Sequence, residues 1–165
     1  MPKTRGLILV HSAPSYLLRQ LAWGCWRTLG YEPAFSWTSQ PLRPGEYRTE
    51  LIWEGPEGMG ARLTSELAGW GDIRFEVTEE SSGGQAASRW LYTPRLGIKH
   101  RATDEVGNFH ISEEELRAAM HRSGLKSADL ILELQSLLAE PWEMELDPLR
   151  AAGADANVVW LFRAG

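Results

Sequence analysis

The segment from Gly55 to Gly60 places three glycines between a predicted strand and a predicted helix. Gly55, Gly58 and Gly60 allow the backbone to turn tightly, so that several N–H groups can point at one phosphate or carboxylate. The segment lacks the Lys-Ser/Thr ending of a P-loop and the G-x-G-x-x-G spacing of a dinucleotide site. Two interpretations of the three glycines therefore stay open: a binding site for an anionic ligand, and a simple tight connection.

A histidine and a serine follow the first apolar run of the chain. His11 and Ser12 come directly after Gly6–Val10, where we expect a strand to meet a helix. An imidazole or hydroxyl at such a junction can reach a ligand held by the helix N-terminus. Consecutive strand residues point to opposite faces, so the two side chains do not form a nucleophile and base by adjacency. We predict both as ligand-binding residues, with an N-cap role as the simpler alternative for Ser12.

The other reactive side chains match no catalytic or metal-binding motif. Cys25 is the only cysteine, which excludes an internal disulfide and a cysteine-based zinc site. It falls on the apolar stripe of a predicted helix, where a thiol packs as a small hydrophobe. His100 and His110 flank a predicted turn, but a metal site needs three or four converging ligands. We predict no catalytic residue, no metal and no cofactor.

The candidate residues lie on a run of predicted elements in the order strand, helix, strand, strand, helix, strand. This run covers Arg5–Glu80, and its order is that of a split βαβ, or ferredoxin-like, unit. The apolar stretch Gly6–Val10 predicts a strand buried on both faces. Alternation in Glu46–Glu54 and Asp72–Glu79 predicts strands with one face toward water, and Glu76 falls on that face. The sequence therefore predicts an α+β protein whose residues 1–80 form a ferredoxin-like half.

The second half is predicted to be smaller and to begin with strands. Ser81–Gln85 is rich in serine and glycine and marks a connector. Residues 88–165 then form an α+β half that packs against the first, or the two halves form one compact domain. We predict short strands at Ser88–Thr93, Gly97–Ala102 and Phe109–Ile111.

Helices follow these strands. A capping box begins a predicted helix at Glu113–Arg122. Ser127 is predicted to cap a second helix, which is stopped by Pro141. Val158–Phe162 is predicted as a final strand that returns to the interior of a sheet. The second helix carries an apolar stripe of leucines at Leu130, Leu134, Leu137 and Leu138.

Composition narrows the class of function. The 165 residues include 22 acidic and 17 basic side chains, and the net charge of −5 opposes nonspecific binding to nucleic acid and anionic membranes. No apolar run approaches the roughly 18 to 20 residues that span a bilayer, and Met1–Val10 is too short for a signal peptide. We therefore predict a cytoplasmic protein with no membrane partner. Most of the eight tryptophans are expected in the core, with an aromatic binding face as the alternative.

Four segments resemble a known family: Gly6–Pro14, Gly55–Ala61, Phe75–Glu80 and Thr93–Gly97. Through them the chain resembles, over almost its whole length, an actinobacterial family known only as a domain of unknown function. The resemblance implies no activity, cofactor or catalytic residue, so no site residue is carried over from it. It does imply a setting near type II fatty-acid synthesis.

Together these features favour a binding protein. We predict a cytoplasmic accessory or regulatory protein that acts through protein–protein contacts, and the resemblance implies a fatty-acid synthesis component as its partner. The alternative is a small-molecule binder or enzyme acting on an acyl, thioester or phosphate-bearing metabolite. That alternative requires His11 and Ser12 to meet the segment Gly55–Gly60 at one pocket.

Overall fold

Six strands form one antiparallel sheet in the computed structural model, which describes residues 2–152. The strands are β1 (Lys3–Pro14), β2 (Thr38–Ser39), β3 (Glu46–Pro56), β4 (Arg74–Glu79), β5 (Ala87–Thr93) and β6 (Gly97–Thr103). Their order across the sheet is β2-β3-β1-β4-β5-β6. The same residues form a 3-10 turn and five helices, α1 (Leu18–Leu29), α2 (Met59–Ala68), α3 (Glu113–Arg122), α4 (Ser127–Leu137) and α5 (Glu140–Ala152). The predicted α+β class is confirmed.

The first apolar run becomes the central strand of the N-terminal half. β1 pairs with β3 on one side and with β4 on the other. Ile8 and Val10 pack in the main core with Phe75 of β4 and with leucines of α1 and α2. The strand order β2-β3-β1-β4, with α1 and α2 as the connecting helices, is that of a split βαβ unit. The ferredoxin-like beginning predicted from the order of elements is therefore present.

The two predicted halves contribute neighbouring strands to this sheet. β4 pairs with β5, and Phe75 lies opposite Tyr92 with the two rings stacked. The connection between these strands includes a tight turn, in which the backbone N–H of Gln85 donates to the carbonyl of Ser82 at 2.7 Å. The sheet thus continues from the first half into the second without a break.

The C-terminal helices build a second, smaller core on the opposite face of the sheet. Leu91 of β5 packs there with Ala139 and Leu146, and Phe109 and Trp142 border the cluster. α5 contacts both β1 and β5, so it crosses this face of the sheet. α4 packs against α3 and α5.

Several predictions for the second half need correction. Pro141 was predicted to stop the second helix, but it lies in the first turn of the next helix, α5. At that position the missing N–H of proline breaks no helical hydrogen bond. α5 itself escaped prediction because Pro141 and Pro148 are helix breakers in most positions. The proposed strand Phe109–Ile111 is reduced to a single bridge between Phe109 and Thr103. The predicted strand Val158–Phe162 lies outside the described residues.

Other predictions for this half are confirmed. α3 has the predicted bounds, and Ser112 and Glu115 form the capping box, with each side chain bonded to the backbone N–H of the other residue. α4 is present at Ser127–Leu137, but the predicted cap is wrong, because the N-cap position is Lys126 and no side chain caps the helix. Its leucine stripe is not wholly internal, because Leu137 is buried whereas Leu138 is exposed.

Candidate functional site

A buried cluster of charged side chains lies between the sheet and α5. Its centre is Glu76 of β4, which is only 2% exposed. The Nε2 atom of His11 and the Nε atom of Arg150 donate to one carboxylate oxygen of Glu76, at 2.6 and 2.9 Å. The Nε atom of Arg89 donates to the other oxygen at 3.0 Å. Three strands and one helix therefore meet at a single carboxylate.

Two acidic residues of α5 complete this buried cluster. Glu143 accepts a hydrogen bond at 2.8 Å from Nη2 of Arg89 and also contacts Arg150. Asp147 forms a further ion pair with Arg150 from the more exposed side. Arg150 is itself buried, so its charge depends on these three carboxylates for compensation. The cluster thus joins α5, from its first turn to its last, to β1, β4 and β5.

The charges of the cluster are mutually stabilising. Burial alone would raise the pKa of Glu76, but the guanidinium groups of Arg89 and Arg150 and the hydrogen bond from His11 hold that pKa well below its usual range. Burial alone would likewise lower the pKa of Arg150, yet Glu76 and Glu143 raise it. Glu76 is therefore ionised at neutral pH.

This cluster escaped prediction from the sequence. Alternation along β4 assigned Glu76 to the face in contact with water, and that assignment is wrong because α5 covers the face. The prediction for the other face of β4 is confirmed, since Phe75 and Val77 pack in the main core. The charged residues of α5 were visible in the sequence. They could have been placed over β4 only if α5 itself had been predicted as a helix.

The contact between His11 and Glu76 resembles a catalytic acid–base pair, but the two side chains are buried away from solvent. His11 is 6% exposed and its ring contacts the carboxylate of Glu76. A substrate would reach either group only if α5 moved away from the sheet. The geometry therefore supports a role in holding α5 in place.

Ser12 does not cap a helix. It lies within β1, which continues to Pro14, and it is fully buried. Its hydroxyl accepts a hydrogen bond from Nη1 of Arg74 at 3.4 Å. The residue that precedes the 3-10 turn is Pro14, because the strand continues past the position where the sequence suggested that it ends.

The glycine segment holds a carboxylate of the chain itself. The backbone N–H groups of Gly58 and Gly60 donate to the two oxygens of Glu79, at 2.8 and 2.7 Å. The carboxylate lies at the N-terminus of α2, where the helix dipole favours negative charge. A Cβ atom on Gly60 would lie 2.6 Å from the ring of Trp90 and 2.7 Å from Glu79. The donors that the sequence offered to an anion are thus occupied by an internal one.

The two predicted ligand-binding regions lie far apart. Gly55 pairs with Thr4 near the beginning of β1, whereas His11 and Ser12 lie near its end. His11 lies seven positions beyond Thr4 along the strand, which corresponds to about 23 Å. One metabolite of ordinary size does not reach both regions. The structure therefore does not bring these two regions to one pocket.

Two groups of exposed apolar side chains form candidate binding surfaces, although single exposed apolar residues such as Leu42 and Ile52 also occur elsewhere. One, which we call the leucine surface, belongs to α3, α4 and the turn between them and comprises Leu116, Met120, Leu125, Ile131 and Leu132. The other, which we call the tryptophan groove, has a volume of about 410 Å³ and is lined by Arg19, Ala22, Trp23, Trp26, Glu32 and Pro33. Trp23 and Trp26 are half exposed, whereas the other five tryptophans of the described region are buried or partly buried.

The remaining candidate groups are not arranged for chemistry. Cys25 is fully buried, and this burial raises the pKa of its thiol to about 12. Within residues 2–152, no three histidine, cysteine or acidic side chains are grouped so as to hold a metal ion. None of the helices in that range combines the length and the apolar character needed to cross a membrane.

The depressed pKa of Glu76 predicts a specific acid dependence of stability. The unfolded chain takes up the proton near the ordinary pKa of 4.5, but the folded chain does so only at lower pH. The stabilisation is therefore complete above about pH 4.5 and is lost as the pH falls through the folded pKa.

Urea unfolding of the wild type and of Glu76→Gln, repeated from about pH 7 to about pH 3, measures this effect. We expect the difference in unfolding free energy between the two proteins to be constant near neutral pH and to shrink below pH 4.5. A difference that is the same at the two ends of this range would contradict the assignment.

Comparison with known proteins gives one match. The chain matches no curated protein and no solved structure. A family model matches residues 7–163, which is nearly the whole chain. The protein therefore belongs to the family described as "Protein of unknown function (DUF3145)".

Proposed function

We propose that this protein is a non-enzymatic cytoplasmic accessory or regulatory protein that acts through protein–protein contacts. The observation that carries the proposal is the leucine surface on α3 and α4. Leu125, Ile131 and Leu132 each expose more than half of their side-chain surface. Several large aliphatic side chains exposed on one helical hairpin are typical of a surface that another protein covers.

The position of α4 fits this role. α4 packs against α3 and α5, and only Leu137 of the predicted stripe is fully buried. Leu132 and Ile131 therefore remain available to a partner. A helical hairpin with aliphatic anchors can dock by inserting them into a groove on the partner, as amphipathic helices do.

The groups that an enzyme would use are engaged in holding the fold. Glu76 and His11 bond to each other under α5, and Glu79 occupies the N–H groups of Gly58 and Gly60. Cys25 is buried in the main core. These contacts support binding over catalysis as the role of the protein.

The family resemblance directs the choice of partner to be tested first. It implies a setting near type II fatty-acid synthesis, so the first candidates are a carrier protein, a condensing enzyme and a carboxylase subunit from that machinery. Such a partner would bury the leucine surface.

Comparative capture from a native lysate tests the proposal. Tagged full-length wild type, Leu132→Glu and Leu42→Glu are used in parallel, and the proteins retained at moderate salt are quantified by mass spectrometry. Leu42 is an exposed leucine of the turn before β3, so Leu42→Glu makes the same chemical change away from α4. A charge placed at a central apolar anchor is expected to weaken binding at least about tenfold.

The expected result is a partner that the wild type and Leu42→Glu retain and Leu132→Glu loses. The partner is then purified, and its affinity for each variant is measured by calorimetry. Equal affinity for all three proteins would contradict the role of the leucine surface. If none of the three retained a partner, the proposed function would be wrong.

A further inference from the structure

One side of the tryptophan groove is formed by apolar side chains of α1. Four lining residues of α1 share one side of the helix, because their positions follow the spacing i, i+3, i+4 and i+7. They are Arg19, Ala22, Trp23 and Trp26. Trp23 and Trp26 are 48% and 50% exposed. Single exposed apolar residues are common on protein surfaces, but two half-exposed indole rings side by side on one helix form a larger apolar patch.

One of the two rings is held in place before any partner arrives. The guanidinium group of Arg27 lies 4.5 Å from the centre of the Trp23 ring. Arg27 in turn donates to Glu66 of α2 at 2.8 Å. A ring fixed in this way loses little conformational freedom when it is covered, which favours binding.

The groove also carries one charge of each sign. Arg19 and Glu32 both line it, together with the two indole rings. Both residues are exposed, and neither forms an ion pair with another residue of the range 2–152. In a two-fold contact between two copies, an exposed base and an exposed acid of one surface can each face the opposite charge of the other copy.

We propose that the tryptophan groove is the interface of a two-fold symmetric homodimer. In this dimer Arg19 of each copy pairs with Glu32 of the other, and the Trp23 and Trp26 rings of the two copies pack together. A two-fold contact sets residue i of one copy against residue j of its partner and the reverse, so each charge finds the opposite one. Tryptophan and arginine are also the residues most enriched among the strongest contacts of interfaces.

The dimer interface is separate from the leucine surface. α1 packs on the face of the sheet that carries Phe75 and Val77, whereas α5 crosses the opposite face and α4 packs against α5 and α3. The inference therefore goes beyond the proposed function, and the leucine surface stays accessible in the dimer. Because purified protein suffices to test it, its outcome is independent of the capture experiment.

Sedimentation velocity of the purified full-length chain measures the mass in solution. The expected species has twice the mass of the 18.5 kDa chain. Arg19→Glu and Glu32→Arg each turn both ion pairs of the dimer into repulsive pairs. Each variant alone is expected to raise the dimer dissociation constant roughly tenfold or more. Arg62→Glu, on the exposed side of α2 and outside the groove, is the control with the same charge change and is expected to remain dimeric.

Mixing the two charge-reversal variants gives the sharpest result. In a mixed dimer, Glu at position 19 faces Arg at position 32, and Arg19 faces Glu32, so both pairs become attractive again. We expect the mixture to recover the dimer that each variant alone has lost. When Trp26→Ala is added to both charge-reversal variants, their mixture is expected to stay monomeric, because the charge pairs are restored but the apolar contact is lost. Thermal unfolding by circular dichroism confirms that each variant is folded.

Three results would overturn the inference. They are a monomeric wild type, a dimer that survives both single charge reversals, and a mixture of the two reversal variants that stays monomeric. The last result would show that the groove contacts something else or that the pairing is not reciprocal.

Discussion

Glu76→Gln is expected to lower the free energy of unfolding by about 3 to 5 kcal/mol at neutral pH. Glutamine keeps the size of the side chain but removes its charge, so Arg89 and Arg150 lose their most deeply buried counter-ion and retain only the acidic side chains of α5. Arg150 is only 5% exposed and therefore cannot turn to water. Removing one partner from a buried ion pair is among the most costly defects that one substitution can introduce.

Urea unfolding followed by circular dichroism measures this loss, and Glu113→Gln is the matched control. Glu113 also forms an ion pair, with Arg117, but both side chains are more than 70% exposed. An exposed pair one helical turn apart contributes about 0.3 to 0.5 kcal/mol. Hydrogen exchange of the α5 amides should show faster exchange in Glu76→Gln. If the two variants lost the same small amount, the buried cluster would not hold α5.

Gly6→Ala is expected to lower the free energy of unfolding by about 3 kcal/mol, or to prevent folding. A Cβ atom on Gly6 would lie 1.8 Å from the backbone carbonyl oxygen of Thr78 and 2.8 Å from the ring of Trp53. The carbonyl belongs to β4, the neighbour of β1, so only a shift of one central strand would relieve the overlap. Trp53 is fully buried and cannot move aside without disturbing the main core.

Gly24→Ala provides the control for this prediction. A Cβ atom on Gly24 also meets an atom closer than 3 Å, but that atom is the end of the Glu66 side chain, which can rotate. Alanine is also favoured over glycine in a helix by about 1 kcal/mol. We expect Gly24→Ala to change the free energy of unfolding by less than about 1 kcal/mol. A loss in Gly6→Ala no larger than this would show that β4 adjusts easily.

Local patterns in the sequence predicted the elements that depend on their own residues. The apolar run Gly6–Val10 indicated the central strand, and the capping box with Ser112 correctly marked the beginning of α3. The order of these elements indicated the split βαβ beginning. Such features depend on hydrogen bonds and apolar patterns among residues that are close in sequence. A short stretch of sequence is therefore enough to predict them.

The candidate site was predicted only in part. His11 was correctly singled out as a polar residue of β1, but its partner Glu76 was assigned to the water-facing side of β4. The glycine segment does form an anion-binding turn, but Glu79, nineteen residues beyond Gly60, supplies the anion. In both cases the local chemistry was visible, and the partner was not, because it comes from an element distant in sequence.

The sequence by itself determined the class of the fold, the N-terminal strand and helix order, and the chemical character of the glycine turn. Only the tertiary structure decided which charges are buried, which glycine must remain glycine for close strand approach, and which tryptophans and leucines stay exposed. These properties depend on what covers each face. α5 changes a solvent face of β4 into a buried one, and the absence of any described element over Trp26 and Leu132 leaves apolar side chains in contact with water.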